Sequence, residues 1–452
     1  MLVNQIDEYE FGTKLNQLVS PARPIQSIEH LNGRARELER IKKALFAPGR
    51  HIFIYGDRGV GKSSLAAAAA NQCQSADASY IDVSCSPDST LKSIVANIGY
   101  KALDTSRLRK IKNTTNASIE LNFLKTGGAK EVTLNDLYTE IHSLLDAVEI
   151  LREVSLIHSQ RPIIVLDEFD RMADANERSM FADLVKHLGD KKINITFIFT
   201  GVGETLEALL GAHPSAIRQF ETIELAKLSW TARWDIALQV VKAFELELEE
   251  DICIRIAAVS DGYPYYVHLI TEKLLWRVYE DSEIITNITR DHYQNALKDA
   301  IQSINAELRR SYEVAVSHRN EEYEEILWAT ADSDYLDRNL KDMFSSYSYI
   351  MKKRIGRNLL NYDDFTGIVR KLRAKSCGEI LIPSKFQRRG WISFRENVLR
   401  GYVRMQAESN GIELVGEQPD IPRQIMHTSA SAARGYFSSS IPKGVMQGRR
   451  RG

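Results

Sequence analysis

Residues 51–72 read HIFIYGDRGVGKSSLAAAAANQ, and their order predicts the fold around them. HIFIY is a short β-rich apolar run, as in a buried strand. SSLAAAAANQ, rich in alanine, is a helix former. Between them, Gly56, Asp57, Arg58, Gly59, Val60, Gly61, Lys62 and Ser63 fit G-x-x-x-x-G-K-[ST] without deviation. Glycines let successive backbone N–H groups turn inward around phosphates, and the helix start adds its positive end. Lys62 then reaches the β/γ oxygens of ATP, and the Ser63 hydroxyl is offered to Mg²⁺. These eight residues, with Ser64 beside them, are the candidate ATP-binding set.

Working outward, strand signals recur at Ala78–Ser84 (ASYIDVS), Pro162–Asp167 (PIIVLD) and Ile193–Thr200 (INITFIFT), with helical stretches between them and a fifth candidate at Glu221–Leu225. Short β-rich runs separated by helices predict an α/β fold, a parallel sheet with helices on both faces. The second strand of interest ends in Asp167-Glu168. On a central parallel strand that end opens onto the phosphate loop, so Asp167 is the candidate magnesium ligand and Glu168 the group that polarises the attacking water. Two solvated carboxylates are the plainer alternative. Asp170 fits a helix N-cap. From Trp230 to about Lys298 the pattern is helical throughout, an all-α lid. The expected organisation is an N-terminal arm (1–25), loosely attached; a P-loop ATPase core (26–228), opening with a helix over 26–48; the lid (229–304); a winged helix (305–404); and a basic tail (405–452) with the composition of a disordered segment. Residues 104–133 interrupt the core as an inserted hairpin or loop, with SIELNF as a strand and Gly127-Gly128 as a turn.

These motifs, with Gly33-Arg34-x-x-Glu37-Leu38, FIFTGVG (197–203), HPSAIRQF (213–220) and Asp261-Gly262-Tyr263-Pro264, resemble the AAA+ and STAND ATPases, particularly their origin-recognition-like, archaeal-type clade. The resemblance spans residues 28–300, and more loosely the region to about 404. It implies that Thr200 senses the γ-phosphate and that Arg218 is an arginine finger for a neighbouring subunit, so the ATP-bound chain is expected to be a homo-oligomer. A structural salt-bridge partner is the other reading of Arg218. Initiator-type members carry a sensor Arg in the lid where this chain reads GYPYYVHLI. Gly262-Tyr263-Pro264 resembles instead the G-x-P signature of STAND switches, which implies that Pro264 lies near the adenine. His268, in the same helix, reads as a core or surface histidine.

The chain has 452 residues, 59 Lys+Arg, 60 Asp+Glu and four Cys. Its length implies two or three domains, and no apolar run approaches a bilayer span. An acidic, polar N-terminus without a signal peptide and four cysteines outside any CxxC predict a cytoplasmic protein with reduced thiols. The charge is divided. Lys341–Gly452 carry 21 Lys+Arg and 9 Asp+Glu, whereas residues 1–340 carry 38 and 51. A basic half is a candidate for a polyanion. Residues 320–404 read as three helices and a two-stranded wing, the winged-helix order. Asp363–Lys375 is the expected recognition helix, with Arg370, Lys371, Arg373 and Lys375 facing phosphate; Lys385, Arg388 and Arg389 belong to the wing. Double-stranded DNA is one expected partner of this domain. Docking onto the ATPase or onto a protein is the other. Two functions are therefore expected of the sequence: an ATPase coupling nucleotide state to assembly on DNA, or a nucleotide-gated signalling switch acting through an effector protein.

Overall fold

The structure, a computed structural model, describes residues 6–21, 31–75, 78–112, 132–203, 214–283, 285–384 and 389–414. At its centre β1 (His51–Tyr55), β2 (Ile81–Ser84), β3 (Ile163–Asp167), β4 (Thr196–Gly201) and β5 (Phe220–Glu224) form a parallel sheet of order β2-β3-β4-β1-β5. The inner strands β1, β3 and β4 are buried on both faces, which is why they read as continuous apolar runs, whereas the edge strands β2 and β5 expose alternate residues. Their alternation divides two cores. Ile52, Ile54, Ile163 and Val165 face one, and Phe53, Ile164 and Leu166 face the other, as the period of two requires. His51 is buried with them; its Nδ1 accepts the Phe197 N–H at 3.1 Å, and burial pushes the imidazole down to about 3, so it is neutral.

Helices α2 (Ala35–Phe46) and α3 (Lys62–Cys73) precede and follow β1. In α2, Leu38, Ile41 and Leu45 are buried as their spacing predicts, but the helix is shorter than 26–48, because Gly33 adopts φ +72° and the chain turns there. The far face of the sheet is covered by α4 (Leu91–Lys112), α5 (Leu134–Glu140), α6 (Leu144–Ile157) and α7 (Ala175–Asp190). Since α4 runs to Lys112, the expected break at 104 falls inside a helix. The SIELNF strand and its glycine turn lie outside the described residues. A short α8 (Pro214–Ile217) leads into β5.

Over the span expected of the lid stand four helices, α9 (Trp230–Ala243), α10 (Glu250–Val259), α11 (Pro264–Tyr279) and α12 (Arg290–Ser303), with a short parallel strand pair, β6 (Glu247–Leu248) and β7 (Asn287–Ile288). His268 is buried in α11. The N-terminal segment is not a loose arm: α1 (Glu8–Leu18) packs on the lid. Phe11 stacks on Tyr279 at 4.3 Å between ring centroids and meets Trp276 edge-on at 4.9 Å. Phe11, Leu15 and Val19, four residues apart, make one buried stripe.

Beyond the lid come α13 (Ala306–Val316), α14 (Glu322–Ala331), β8 (Arg338–Asn339), α15 (Leu340–Lys353), α16 (Tyr362–Leu372), β9 (Leu381–Pro383), β10 (Trp391–Phe394) and α17 (Leu399–Ser409). The strands pair antiparallel in the order β8-β10-β9. Three helices and a two-stranded wing are the expected order; β9 and β10 form a hairpin, and β8 adds a third strand to it. The expected recognition helix ends at Leu372, with Arg373 as its cap residue and Lys375 in a 3₁₀ turn. Nor does order stop near Met405: α17 continues to Ser409, and Ile412 and Leu414 are buried. Residues 415–452 lie outside the described residues. One apolar cluster runs without a break from one face of the sheet through the lid into this C-terminal region.

Ion pairs fasten α17 to the lid. Asp261, fully buried in the turn before α11, lies 2.9 Å from Arg400, 3.3 Å from Arg404 and 3.1 Å from Lys227. Glu408 pairs with Arg255, both side chains buried. Burial alone would raise the Asp261 carboxyl, but Arg400, Arg404 and Lys227 outweigh it and hold it below the ordinary value. Its contribution is therefore present above the usual carboxylate range and lost only as pH falls through the depressed value. Asp261→Asn leaves two buried arginines and the part-buried Lys227 without their carboxylate, and is expected to lower the free energy of unfolding by about 3–5 kcal/mol. Denaturant melts of the two proteins measure this. An unchanged midpoint would show that the cluster does not hold α17.

Candidate nucleotide site

The phosphate loop follows the carboxyl end of β1. Gly61 adopts φ +96° and caps α3, a conformation that a side chain would strain. The Lys62 ammonium donates to the Gly56 and Asp57 carbonyls at 3.0 and 2.8 Å. Burial pulls it below the ordinary lysine value, against the opposing pull of Asp170, Asp167, Asp57 and Glu168. The cation thus closes its own loop through two backbone carbonyls. Arg58 and Gly59 are exposed at the tip; Ser64 lies in the first turn of α3.

Asp167 ends β3 on the neighbouring side. Ser63 Oγ donates to its Oδ1 at 2.9 Å, and Thr200 Oγ1, on β4, bonds the same oxygen. Thr200 in turn accepts the Glu168 N–H at 3.1 Å. The hydroxyl expected to sense the γ-phosphate is thus engaged with the Asp–Glu pair. Glu168 sits at φ +54°, a left-handed conformation costing a non-glycine residue about 1–2 kcal/mol. Its carboxylate is half exposed and paired with Arg171 at 2.7 Å. Asp170 caps no helix: it accepts the Val202 N–H at 2.7 Å, and Asp174 caps α7.

Ser63 and Asp167, two hard oxygen donors in contact, suit Mg²⁺, and the glycine cradle with Lys62 suits the phosphates of ATP. Among the described residues no group of three or more His, Cys, Asp or Glu could hold a metal unaided. The four cysteines are free thiols, and no described helix is long and apolar enough to cross a membrane.

The lid and the C-terminal region both reach the loop. A methyl group on Gly61 would lie 3.7 Å from Pro264 Cγ, so Pro264 borders the site. One on Gly59 would lie 3.3 Å from Val398 Cγ2 and 3.5 Å from Tyr263 Cδ1. Asn397 Nδ2 donates to Asp57 Oδ2 at 3.0 Å, and Tyr266 Oη donates to the Val398 carbonyl at 2.8 Å. No local pattern announces Asn397, because its partner stands 340 residues away in the sequence.

The remaining candidates lie elsewhere. Arg218 is exposed, just before β5, beside the amino ends of the strands. Arg370, Lys371, Arg373, Lys375 and Arg389 are exposed in the C-terminal region, and Arg388 and Lys385 lie outside the described residues.

Fold and site together define a P-loop ATPase. Residues 30–198 match the AAA ATPase domain family. No curated protein matches the chain in sequence. Among solved structures it is similar to a Walker-type ATPase of Pyrococcus abyssi, at 15% identity over 85% of this chain and 99% of that one, with a TM-score of 0.47. Cdc6p from Pyrobaculum aerophilum is similar at 17% identity over 86% and 98%, with a TM-score of 0.45. The Aeropyrum pernix ORC1 protein, solved in complex with DNA, is similar at 14% identity over 84% and 93%, with a TM-score of 0.40.

Proposed function

We propose that this ATPase couples its nucleotide state to assembly on double-stranded DNA through the contact between the phosphate loop and the C-terminal region. The observation that carries this reading is the Asn397–Asp57 hydrogen bond with Val398 packed on Gly59. The segment 397–398 leads directly into α17, and β10 precedes it. Reshaping of the loop around phosphates is thereby felt by the basic region.

The chemistry follows from the chain's own groups. The inward N–H groups of residues 56–63 and Lys62 bind the phosphates, and Ser63 and Asp167 hold Mg²⁺. Bound Mg²⁺ supplies charge neutralisation on the β/γ oxygens. Thr200 orients Asp167 and Glu168. The Glu168–Arg171 pair is solvent-exposed, and such pairs are worth only about 0–1 kcal/mol. Glu168 is therefore cheaply freed to accept a proton from attacking water. Pro264 and Tyr263 close the lid side. Arg218 lies at the opposite end of strands five residues long, roughly 16 Å away. Any action of Arg218 on a phosphate is thus in a neighbouring subunit, which the homo-oligomer supplies.

The case for DNA rests on exposed cations rather than on the total charge. Arg354 and Arg357 neutralise Glu321 and Glu325, Arg395 pairs with Glu379, and Arg400 and Arg404 are buried on Asp261. What remains outward includes Lys352, Lys353, Arg370, Lys371, Arg373, Lys375 and Arg389, enough for several phosphate contacts. The test is steady-state ATP turnover of the full chain with and without duplex DNA. Stimulation by the duplex, absent in Glu168→Gln, is expected. Slow turnover indifferent to DNA would favour a switch working through an effector protein.

A further inference from the structure

The Gly33-Arg34 pair, ahead of α2, has no place in the chemistry above, yet it touches the phosphate loop directly. Arg34 is 4% exposed. Its Nη2 donates to the Val60 carbonyl at 2.9 Å and to the Ala226 carbonyl at 2.7 Å. The nearest carboxylate, Glu37, stands 3.8 Å from Nη1. A guanidinium taken out of water thus spends its charge chiefly on two backbone oxygens, one in the phosphate loop and one between β5 and the lid. Gly33 is wedged beside it: at φ +72° its missing Cβ would fall 2.4 Å from Ala232 Cβ on α9.

The Val60 carbonyl and the Gly61 N–H belong to one planar trans peptide, so they point in opposite directions. A donor that draws this carbonyl outward aims the Gly61 N–H into the cradle. We infer that Arg34 is a positioning residue for ATP hydrolysis, one that fixes the Gly61 N–H towards the phosphates and ties that orientation to the lid through Ala226. The inference rests on the phosphate-loop reading of residues 56–63. Arg34 touches no phosphate itself. One nitrogen, Nη2, serves both carbonyls, held in place by the rigid planar guanidinium, whereas a lysine would carry its ammonium on a flexible stem.

The test uses full-length Arg34→Gln and Arg34→Lys, titrated calorimetrically with adenosine and with a non-hydrolysable ATP analogue, together with kcat and KM for ATP. Loss of a charged hydrogen bond that orients a donor is expected to weaken the analogue about 10- to 100-fold in Arg34→Gln. The lysine variant should fall between it and the wild type, and adenosine affinity should stay unchanged in both. A purely structural role would instead weaken both ligands together. Wild-type analogue affinity and turnover in Arg34→Gln would overturn the inference. So would an Arg34→Lys chain too unstable to titrate, which would make Arg34 a folding residue only. Lys62→Ala, run alongside, separates the two readings: if it too binds the analogue normally, the phosphate-loop assignment itself has failed.

Discussion

Lys62→Ala is expected to lose ATP binding while folding like the wild type. The side chain contributes no apolar contact to either core, and it gives its hydrogen bonds to two carbonyls of its own loop. Those carbonyls border an open site, so water replaces the ammonium at little cost. The bound state differs. There Lys62 is the one loop cation for the β/γ oxygens, and two charge-assisted bonds of about 1.5–3 kcal/mol each correspond to roughly 10²–10⁴ in affinity. Calorimetric titration with ATP and a denaturant melt measure the two halves. Undiminished affinity would remove the phosphate loop from the mechanism, whereas a collapsed melt would mean that the loop is part of the folding core.

The second large effect belongs to Arg370→Glu combined with Arg373→Glu. Each phosphate neutralised contributes a slope of about −0.9 in log K against log salt. Four to six contacts from the exposed cations around α16 therefore weaken duplex binding by roughly two to three decades between 50 and 200 mM salt. Reversing two of those cations should remove most of that slope and leave ATP affinity intact. Arg370 lies in the last turn of α16 and Arg373 caps it, both exposed and, among the described residues, without an ion pair. The whole chain is the proper reagent, because the C-terminal region shares its apolar cluster with the lid and the sheet. Fluorescence anisotropy against a labelled duplex decides the matter. No binding by the wild type at 50 mM salt would end the DNA proposal.

What the sequence disclosed follows from how locally each feature is encoded. HIFIY, IIVLD and the G-x-x-x-x-G-K-[ST] loop are contiguous, and each carries its own period or spacing, so sheet and phosphate loop are legible from residues 51–72 and 163–168. The stripe Phe11, Leu15, Val19 was within reach of the same reasoning. It is hidden by the polar residues of EYEFGTKLNQL, and its worth appears only once Tyr279 and Trp276 stand opposite. Charge misled for a related reason. Arg400 and Arg404 count as surface cations in a composition, and only the fold reveals that Asp261, some 140 residues earlier, has taken them inside. Asn397 depends wholly on a partner 340 residues away. Arg34 is visible as part of a pattern, but its contacts to the Val60 and Ala226 carbonyls are not.

The distance along the chain between Asp57 and Asn397 has a consequence for how the molecule is made. Translation proceeds at about 5–20 residues per second, with earlier segments folding first. The loop's own octapeptide is thus complete roughly 17–70 seconds before the segment that covers it leaves the ribosome. During that interval the strands and the lid emerge without the C-terminal cover. Every molecule passes through a nascent form in which the cradle lies uncovered, so a newly synthesised chain can meet cellular ATP before its basic region exists.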